Sequence, residues 1–475
     1  MTKYEALAQD IEAHVASGTL APGDRLPSVR EMADSRGISR ATVFQAYYLL
    51  EARGIVEARS RSGYFVNGVT RPREQPPLSQ PPKETAVVDV NRMVLDVLQS
   101  IRMHEVVPIA SAFPNPALFP LGQLARGCGP ALRKLSARGH LESLAPGHPE
   151  LRREIGRRYL ATGTRVSHEE IVVTNGAMEA LKLCLEAATR PGDLVAVEAP
   201  TFHGCLQMLE LLQRKAVRIP TSPSDGIQVE ALRDLLSRQP VKACWLMTNF
   251  QNPTGASMPT ESKKALVQLL AEHEVPLIED DVYAELFFGP NRPPPAKAFD
   301  EKGLVLHCGS FSKSLAPSYR VGWTAAGRFA REVEFLKMSS TLGVSVPSQV
   351  AVLDYLQRGG YENHLRTLRK ALAARCELTL RCLDAFMPEG SRFTRPQGGY
   401  FTWVELPAGV DTLDLHRMAL DRQVCIAPGR IFSPDEQFRQ FFRVNYGHPE
   451  PDAMPAALRT LGELATTLAG KAAQA

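Results

Sequence analysis

The stretch "GLVLHCGSFSKSLAPSYRVGW", residues 303–323, decides how the chain is read. Its first six residues are a short apolar run of buried-strand character. Lys313 then falls just past the strand's carboxyl end, between Ser312 and Ser314, with Arg320 seven positions further on. A lysine in a Ser/Gly-rich turn is most often a solvated charge. At the carboxyl edge of an open α/β sheet it would instead sit where ligands bind. The surrounding sequence has to decide between the two.

Working outward, strand-like and helix-like segments alternate: "EEIVVTNG", "AMEALKLCLEAATR", "DLVAVEAP", "VEALRDLLSR", "VKACWLMTNF", "KKALVQLLAEHE", "VPLIEDD". This pattern predicts a largely parallel sheet in an α/β fold. Chemistry-bearing residues gather where the strands end. In "TNGAMEAL" (174–181) a strand turns through Gly176 into a helix, so the free N–H groups of Ala177 and Met178 can hold a phosphate. In "NFQNPTG" (249–255) Asn252 precedes a proline that fixes the turn and leaves its amide available as a donor. The acids of "LIEDDVY" (277–283) lack the histidines or further carboxylates a metal site needs, and no metal is expected.

The chain has 475 residues, 44% hydrophobic and 22% charged, with a formal net charge of +4. That is globular composition for two or three domains, and too weakly basic to name a polyanion partner by itself. Eight cysteines stand singly without a C-x-x-C pair, the N-terminus lacks an apolar signal core, and no run reaches membrane-spanning length. The expectation is a soluble cytoplasmic protein. Residues 69–86, "VTRPREQPPLSQPPKETA", are rich in Pro and charge and read as an extended linker between residues 1–68 and 87–475.

Residues 1–68 carry three helix-spaced segments and then "IVEARSRSGYFV", two apolar runs around a polar turn. Two short helices joined at Gly37 and followed by a hairpin predict a winged helix-turn-helix. The module holds eight Lys/Arg and eight Asp/Glu, so the signal is placement rather than charge. Arg30, Arg40, Arg59 and Arg61 fall at helix and wing positions that face a duplex, and Ser28, Ser39 and Thr42 are hydroxyl donors at helix starts. Arg59 and Arg61 read equally as a solvated hairpin edge.

"G-x-L-x-P-G-x-R-L-P-S-x-R" (18–30), "I-S-R-x-T-V" (38–43) and "L-E-x-R-G" (50–54) resemble the DNA-binding domain of GntR-type bacterial regulators. The resemblance implies that Arg30, Arg40 and Thr42 contact double-stranded DNA and that the wing tip, Arg59 to Gly63 with Arg61 and Ser62, reaches the neighbouring minor groove. Phe44 stands where that family often has a polar reader.

In the larger part, a lysine that forms a Schiff base needs a phosphate anchor, an acid for a ring nitrogen and a donor to a ring hydroxyl, and all three are present, which points to pyridoxal 5′-phosphate. N-P-T-G, E-D-D-x-Y and S-x-S-K-x-x-x-P-x-x-R resemble the fold-type I, class I/II aminotransferases over about residues 110 to 465. Carried over by motif, Lys313 forms the internal aldimine, Asp280 pairs with the pyridine N–H, and Asn252 and Tyr283 donate to the 3′ oxygen. Ser310, Ser312, Arg320 and the Ala177 backbone bind phosphate. Phe202 aligns with the aromatic that stacks on the ring, and also reads as a core aromatic. Arg443, in the apolar strand "FFRVNYG", binds the α-carboxylate of an amino acid in the family, a structural ion pair being the alternative.

A GntR-like module joined to such a domain resembles the MocR-type transcription regulators over nearly the whole chain. The resemblance implies a head-to-tail, domain-swapped homodimer in which an amine or amino-acid effector acts through the aldimine; an active aminotransferase with an attached DNA-binding module is the alternative. One departure stands out. "GHLESLAPGHPELR" (139–152) lacks the aromatic that such chains commonly carry before the P-G-x-P-x-L-R turn, and His140 is the nearest candidate.

Overall fold

A computed structural model describes residues 3–16, 19–20, 23–52, 55–59, 63–66, 73–86, 94–95, 97, 99, 106–435 and 437–472. The chain divides into two compact units, Met1–Arg73 and Glu74–Ala475.

In the small unit α1 (Lys3–Ala16), α2 (Val29–Arg36) and α3 (Arg40–Ala52) precede a hairpin of β1 (Val56–Arg59) and β2 (Gly63–Val66). Ser28 starts α2 with a reciprocal capping box to Glu31, and Gly37 ends it in the left-handed region at φ 61°. Leu7, Ile11, Val43, Tyr47 and Leu50 bury the apolar faces of α1 and α3 against Val56 and Val66. Arg25 bridges to Phe65, which adds a third edge to the wing.

The large unit is built on an eight-stranded sheet in the order β3-β10-β9-β8-β7-β4-β5-β6. Its strands are β3 (Ile171–Thr174), β4 (Leu194–Ala199), β5 (Lys215–Ser222), β6 (Gly226–Ile227), β7 (Val241–Leu246), β8 (Leu277–Asp280), β9 (Val305–Ser310) and β10 (Gly322–Ala325). β9, β8, β7, β4 and β5 run parallel, with β10 and β6 antiparallel to their neighbours. Both faces of a parallel sheet are covered, which is why β3, β4, β8 and β9 are buried at every position. A second sheet orders β11 (Arg392–Phe393), β12 (Phe401–Glu405), β14 (Phe441–Asn445) and β13 (Ala427–Pro428) as β11-β12-β14-β13.

Of the stretch expected to be a linker, 69–86, residues 69–72 lie outside the described residues and residues 74–86 are not a linker. Residues 74–86 belong to the large unit and run along β5: Ala86 exchanges backbone hydrogen bonds with Ala216 at 3.0 and 3.3 Å, and Ser79 N donates to Thr221 O at 3.3 Å. Composition pointed away from this because proline supplies no N–H. The segment instead accepts bonds at its carbonyls, from Arg218 to Glu84 O at 3.0 Å and from Gln239 to Lys83 O at 3.3 Å.

Candidate functional site

The parallel strands end on one edge of the sheet, and that edge carries a cavity of about 270 Å³ lined by Ala177, Met178, Phe202, Asp280, Tyr283, Ser310, Ser312, Lys313 and Arg320. Nine of the residues singled out from sequence therefore share one hollow. Asn252 and Arg443 are not among the lining residues: Arg443 Nη1 donates to Asn252 Oδ1 at 2.9 Å, and Asn252 adjoins Tyr283, which does line the hollow.

One corner is built to hold an anion. β3 breaks at Gly176, whose φ of 78° favours glycine, and a Cβ there would stand 2.3 Å from the Arg320 guanidinium. The helix Ala177–Ala188 starts without a side-chain cap, which leaves its first N–H groups and the positive end of its dipole facing the hollow. Arg320 is aimed there by bonds to Ser312 Oγ at 3.3 Å and Asn175 O at 3.1 Å, while Ser310 Oγ accepts from Ser312 N at 3.0 Å. Two or three amides, two hydroxyls and a guanidinium match a phosphate dianion.

Two buried polar atoms here are unmatched, one on the lining and one on a residue adjoining it. Asp280 Oδ1 and Asn252 Nδ2 are buried without a hydrogen-bond partner. Burial, helped by Asp281, raises the Asp280 carboxyl to about 7. The adjacent acid is committed elsewhere: Asp281 accepts from Asn249 Nδ2 at 2.9 Å and meets His307 Nε2 at 3.0 Å, and His307 Nδ1 meets the Tyr159 hydroxyl at 2.7 Å. The choice between two neighbouring aspartates is thus made by their partners. A buried acceptor on the lining and a buried donor on a residue adjoining it suit a ring with a protonated nitrogen and an anionic oxygen, so the residues fit pyridoxal phosphate.

Lys313 Nζ lies between these features, donating to Ala112 O at 2.8 Å and standing 3.7 Å from the centre of the Phe113 ring. Burial, with Arg443 and Arg320 adding to it, lowers its ammonium to about 7, so a free amine is available as nucleophile at neutral pH. Phe202 lines the same hollow, packed so tightly over Gly204 that a Cβ there would meet its ring at 2.6 Å.

Arg443 is 1% exposed and donates to neutral atoms: Asn252 Oδ1, Ala110 O at 2.6 Å and Ser111 O at 3.1 Å. Among the described residues no carboxylate pairs with it. Its Nε has no partner, and desolvation lowers its guanidinium to about 10. The guanidinium is thus a buried cation balanced by dipoles and by the faces of Phe401 and Phe432, 4.2 and 5.3 Å away, without a described carboxylate.

Sequence reasoning missed several neighbours. The carbonyls of Ala110, Ser111 and Ala112 hold Arg443 and Lys313 from more than 200 positions away, and nothing in "IASAF" marks them. His203 lines the cavity with its imidazole lowered to about 3 by burial and Arg443, and Tyr400 donates to Ala112 O at 3.1 Å.

On the small unit, Arg30 and Arg40 are exposed, as are Phe44 and Tyr48 one turn apart on α3. The hydroxyls are more committed than sequence implied. Ser28 Oγ accepts from Glu31 N at 3.2 Å, and Ser39 Oγ accepts from Thr42 N at 3.1 Å while meeting Thr42 Oγ1 at 2.8 Å. They set the starts of α2 and α3 before they could contact anything else. Arg59 pairs with Gly63 in the hairpin register, and Gly63 has φ 103°. Arg61, Ser62 and the Arg59 side chain lie outside the described residues.

Among the described residues no helix is long and apolar enough to cross a membrane, and no group of His, Cys, Asp and Glu could hold a metal ion.

Residues 131–461 match the family "Aminotransferase class I and II", and residues 3–66 match "Bacterial regulatory proteins, gntR family". The HTH-type transcriptional regulator YdcR of Escherichia coli is 45% identical, over 98% of this chain and 99% of that one. Aromatic-amino-acid aminotransferase 1 of Thermococcus litoralis is 30% identical, over 78% of this chain and 90% of its own. Among solved structures, LysN, an alpha-aminoadipate aminotransferase of Thermus thermophilus complexed with N-(5′-phosphopyridoxyl)-L-leucine, superposes with a TM-score of 0.73 at 28% identity, covering 79% of this chain and 95% of that one.

Proposed function

The chain belongs to the aminotransferase class I and II family with a gntR-family module ahead of that domain, the arrangement of MocR-type HTH regulators, and on that premise we propose that it is a DNA-binding regulator that holds pyridoxal 5′-phosphate on Lys313 and reads an amine or amino acid there. The observation that carries the reading is the unpartnered Asp280 Oδ1 in the cavity of a lysine lowered to about 7, with the unpartnered Asn252 Nδ2 on a residue adjoining Tyr283 of the same lining. When bound, the cofactor supplies an aldehyde that condenses with amines and an electron-withdrawing ring. Asp280 would keep the ring nitrogen protonated, the corner of Ala177, Met178, Ser310, Ser312 and Arg320 would hold the phosphate, and Asn252 and Tyr283 would donate to the ring oxygen. Phe202 would cover one ring face. Arg443 would take the carboxylate of an amino-acid effector and so fix its orientation.

On the small unit, Arg30, Arg40, Thr42 and the wing around Arg59, Arg61, Ser62 and Gly63 would meet double-stranded DNA, with Ser28 and Ser39 at helix starts facing phosphates. A homodimer is supported by apolar side chains left in solvent: Leu141, Leu144 and Leu342 cluster where Ala145 N bonds Leu342 O at 3.0 Å, and Phe335 and Met338 share one helix. Paired modules would read repeated half-sites in the cytoplasm.

The test is operator affinity for the DNA upstream of the chain's own gene, measured by fluorescence anisotropy with the cofactor bound and with amino acids and amines added singly. One ligand should shift affinity at least about fivefold, the scale of ordinary coupling between sites, and Lys313→Ala should remove the shift. Equal affinity with and without cofactor, for every ligand, would leave only a dimerisation scaffold. The second reading, an active aminotransferase, is favoured by the completeness of the Lys313, Asp280 and Tyr283 set, and repeated turnover of an amino donor with a keto acid would establish it.

A further inference from the structure

A second cavity lies away from Lys313, under the segment that leads out of the large unit toward the small one. Glu74 O accepts from Phe393 N of β11 at 3.3 Å, and Ser79 is fixed to β5 through Thr221 N to Ser79 Oγ at 2.8 Å. Between those two pins, residues 75–78 cross from the four-stranded sheet to the edge of the eight-stranded one. A hollow of about 370 Å³ opens beneath them, at the small end of the range used by small-molecule sites.

Pro76 and Leu78 contribute to its roof, and Trp403, Phe438 and Phe441 to its floor. Phe441 stacks on Trp403 with ring centres 5.4 Å apart at 17°, and Phe438 meets Phe441 edge-on at 5.5 Å. Glu405 is the one carboxylate among the lining residues, beside the neutral polar groups of Thr221, Thr254 and Gln440. The Glu405 side chain is 10% exposed, its Oε1 accepts from Gln440 Nε2 at 3.3 Å, and its Oε2 is buried without a hydrogen-bond partner. Arg392 Nη1 stands 3.6 Å from Oε2, but that guanidinium is 42% exposed and shared with Glu74 at 3.4 Å, which makes it a weak, screened neighbour.

An anion would be repelled by Glu405, and a neutral hydrocarbon would leave Oε2 unmatched. A monocation with an aromatic or branched body satisfies both parts, its ammonium facing the Glu405 carboxylate and its body resting on aromatic faces that also attract cations. We propose that this cavity is a second small-molecule site, specific for an apolar-bodied amine. Trp403 lies opposite Arg443 in the β12–β14 ladder, so the floor of this site and the carboxylate receptor of the first share a rung. Occupancy beneath residues 75–78 would fix the strap that begins at the boundary of the two units.

The probe is N,N-dimethylbenzylamine, a tertiary amine that donates one N–H and cannot condense with an aldehyde, so binding at the Lys313 cofactor is chemically separated from binding here. Isothermal titration of the full-length, cofactor-loaded protein should give saturable binding of one probe per chain, with Kd on the order of 1 mM or below. The uncharged N,N-dimethylbenzamide should bind at least about tenfold more weakly, and Glu405→Gln should lose a similar factor, the worth of a charge-assisted hydrogen bond. Leu78→Arg, at a position 42% exposed where folding is not at stake, should do the same by placing a cation in the roof. Lys313→Ala should bind as the unaltered protein does. Absence of saturable binding, equal binding by Glu405→Gln, or binding abolished by Lys313→Ala would each overturn the proposal.

Discussion

In the Lys313 cavity the polar side chains are aimed by burial and by one another, whereas on α2 and α3 the long side chains stand in solvent. Asp280 and Arg443 are 2% and 1% exposed, and Arg443 is held by Asn252 and by the carbonyls of Ala110 and Ser111, more than 150 positions away. The Arg30 side chain is 77% exposed and, among the described residues, its one ion pair is with Asp34, at 4.0 Å. Phe44 is 55% exposed. The first surface is organised within the large unit; the second has fixed helix starts and exposed side chains beyond them. Single substitutions should therefore act nearly all-or-none in the cavity and fractionally on the helices.

The largest expected effect breaks the comparison at its strongest point. Lys313→Ala should abolish the borohydride-reducible link to pyridoxal phosphate and its visible absorbance, while DNA affinity without effector stays within about threefold, since the lysine lies in a different compact unit. Peptide mapping after reduction reads the site directly, and label on another lysine would refute the assignment.

Next is Arg443→Met. Removing one side of a buried charge pair costs about 3 to 5 kcal/mol, so the concentration of carboxylate-bearing effector needed for half response should rise at least about a hundredfold, with the cofactor spectrum kept. Folding should survive, because the guanidinium has no carboxylate to abandon and methionine fills a similar volume between Phe401 and Phe432. A full response from the variant would mean that the effector has no carboxylate or that Arg443 only braces Asn252.

How much of this was legible depended on whether chemistry sits on the motif itself. Gly176, Asn252, Asp280, Lys313 and Arg320 each follow a strand, and strand ends at one sheet edge converge whatever the intervening helices are, so their meeting could be anticipated. What holds them could not. Ala110 to Ala112 offer backbone carbonyls, which any sequence would supply, and the Asp281–His307–Tyr159 chain joins residues up to 148 positions apart. The run at 74–86 misled for a similar reason: it is polar and Pro-rich, and is held by carbonyls rather than by a buried apolar face. The helix-turn-helix was readable because caps are local, Ser28 with Glu31 and Ser39 with Thr42 three residues apart.

A pH experiment sharpens the same contrast. The Asp280 carboxyl is raised from 3.8 to about 7, so the folded, cofactor-free chain keeps a proton that the unfolded chain has released. The stability this contributes is complete below pH 4 and is lost as pH rises toward 7, a few kcal/mol at about 1.4 kcal/mol per unit. Lys313, lowered from 10.5 to about 7, acts in the opposite sense, its contribution being lost as pH falls from 10.5 through 7. Thermal melts of cofactor-free protein should show Asp280→Asn gaining on the unaltered chain between pH 4 and 7. Parallel melting curves across that range would mean that the site is already wet.

On the exposed helices, Arg40→Ala should weaken specific operator binding by about 1 to 3 kcal/mol if it reads a base edge, and by less, with a reduced salt slope, if it meets only phosphate. Arg30→Ala should fall at the lower end, because Asp34 already shares its charge. Loss of all binding in either variant would show this surface to be as tightly organised as the cavity.

The smallest effect is expected at His140, and it tests whether the cavity is complete within one chain. The chain lacks the aromatic that aminotransferases commonly send to a partner's phosphate, and His140 sits exposed in the last turn of the short helix Ala137–Glu142. The anion corner already holds a helix start, Ser310, Ser312 and Arg320, so His140→Ala should change cofactor affinity by no more than about twofold, inside the ordinary range for a surface substitution. The missing donor should matter more for rate than for binding, because a misplacement of about 1 Å can cost ~10²-fold in a reaction step. Cofactor exchange with an amine should therefore proceed while steady transamination stays well below about 1 s⁻¹, the lower end of ordinary turnover. A tenfold loss of cofactor affinity in His140→Ala would put this residue on the phosphate of a second copy, and turnover at ordinary enzyme rates would move the chain from sensor to catalyst.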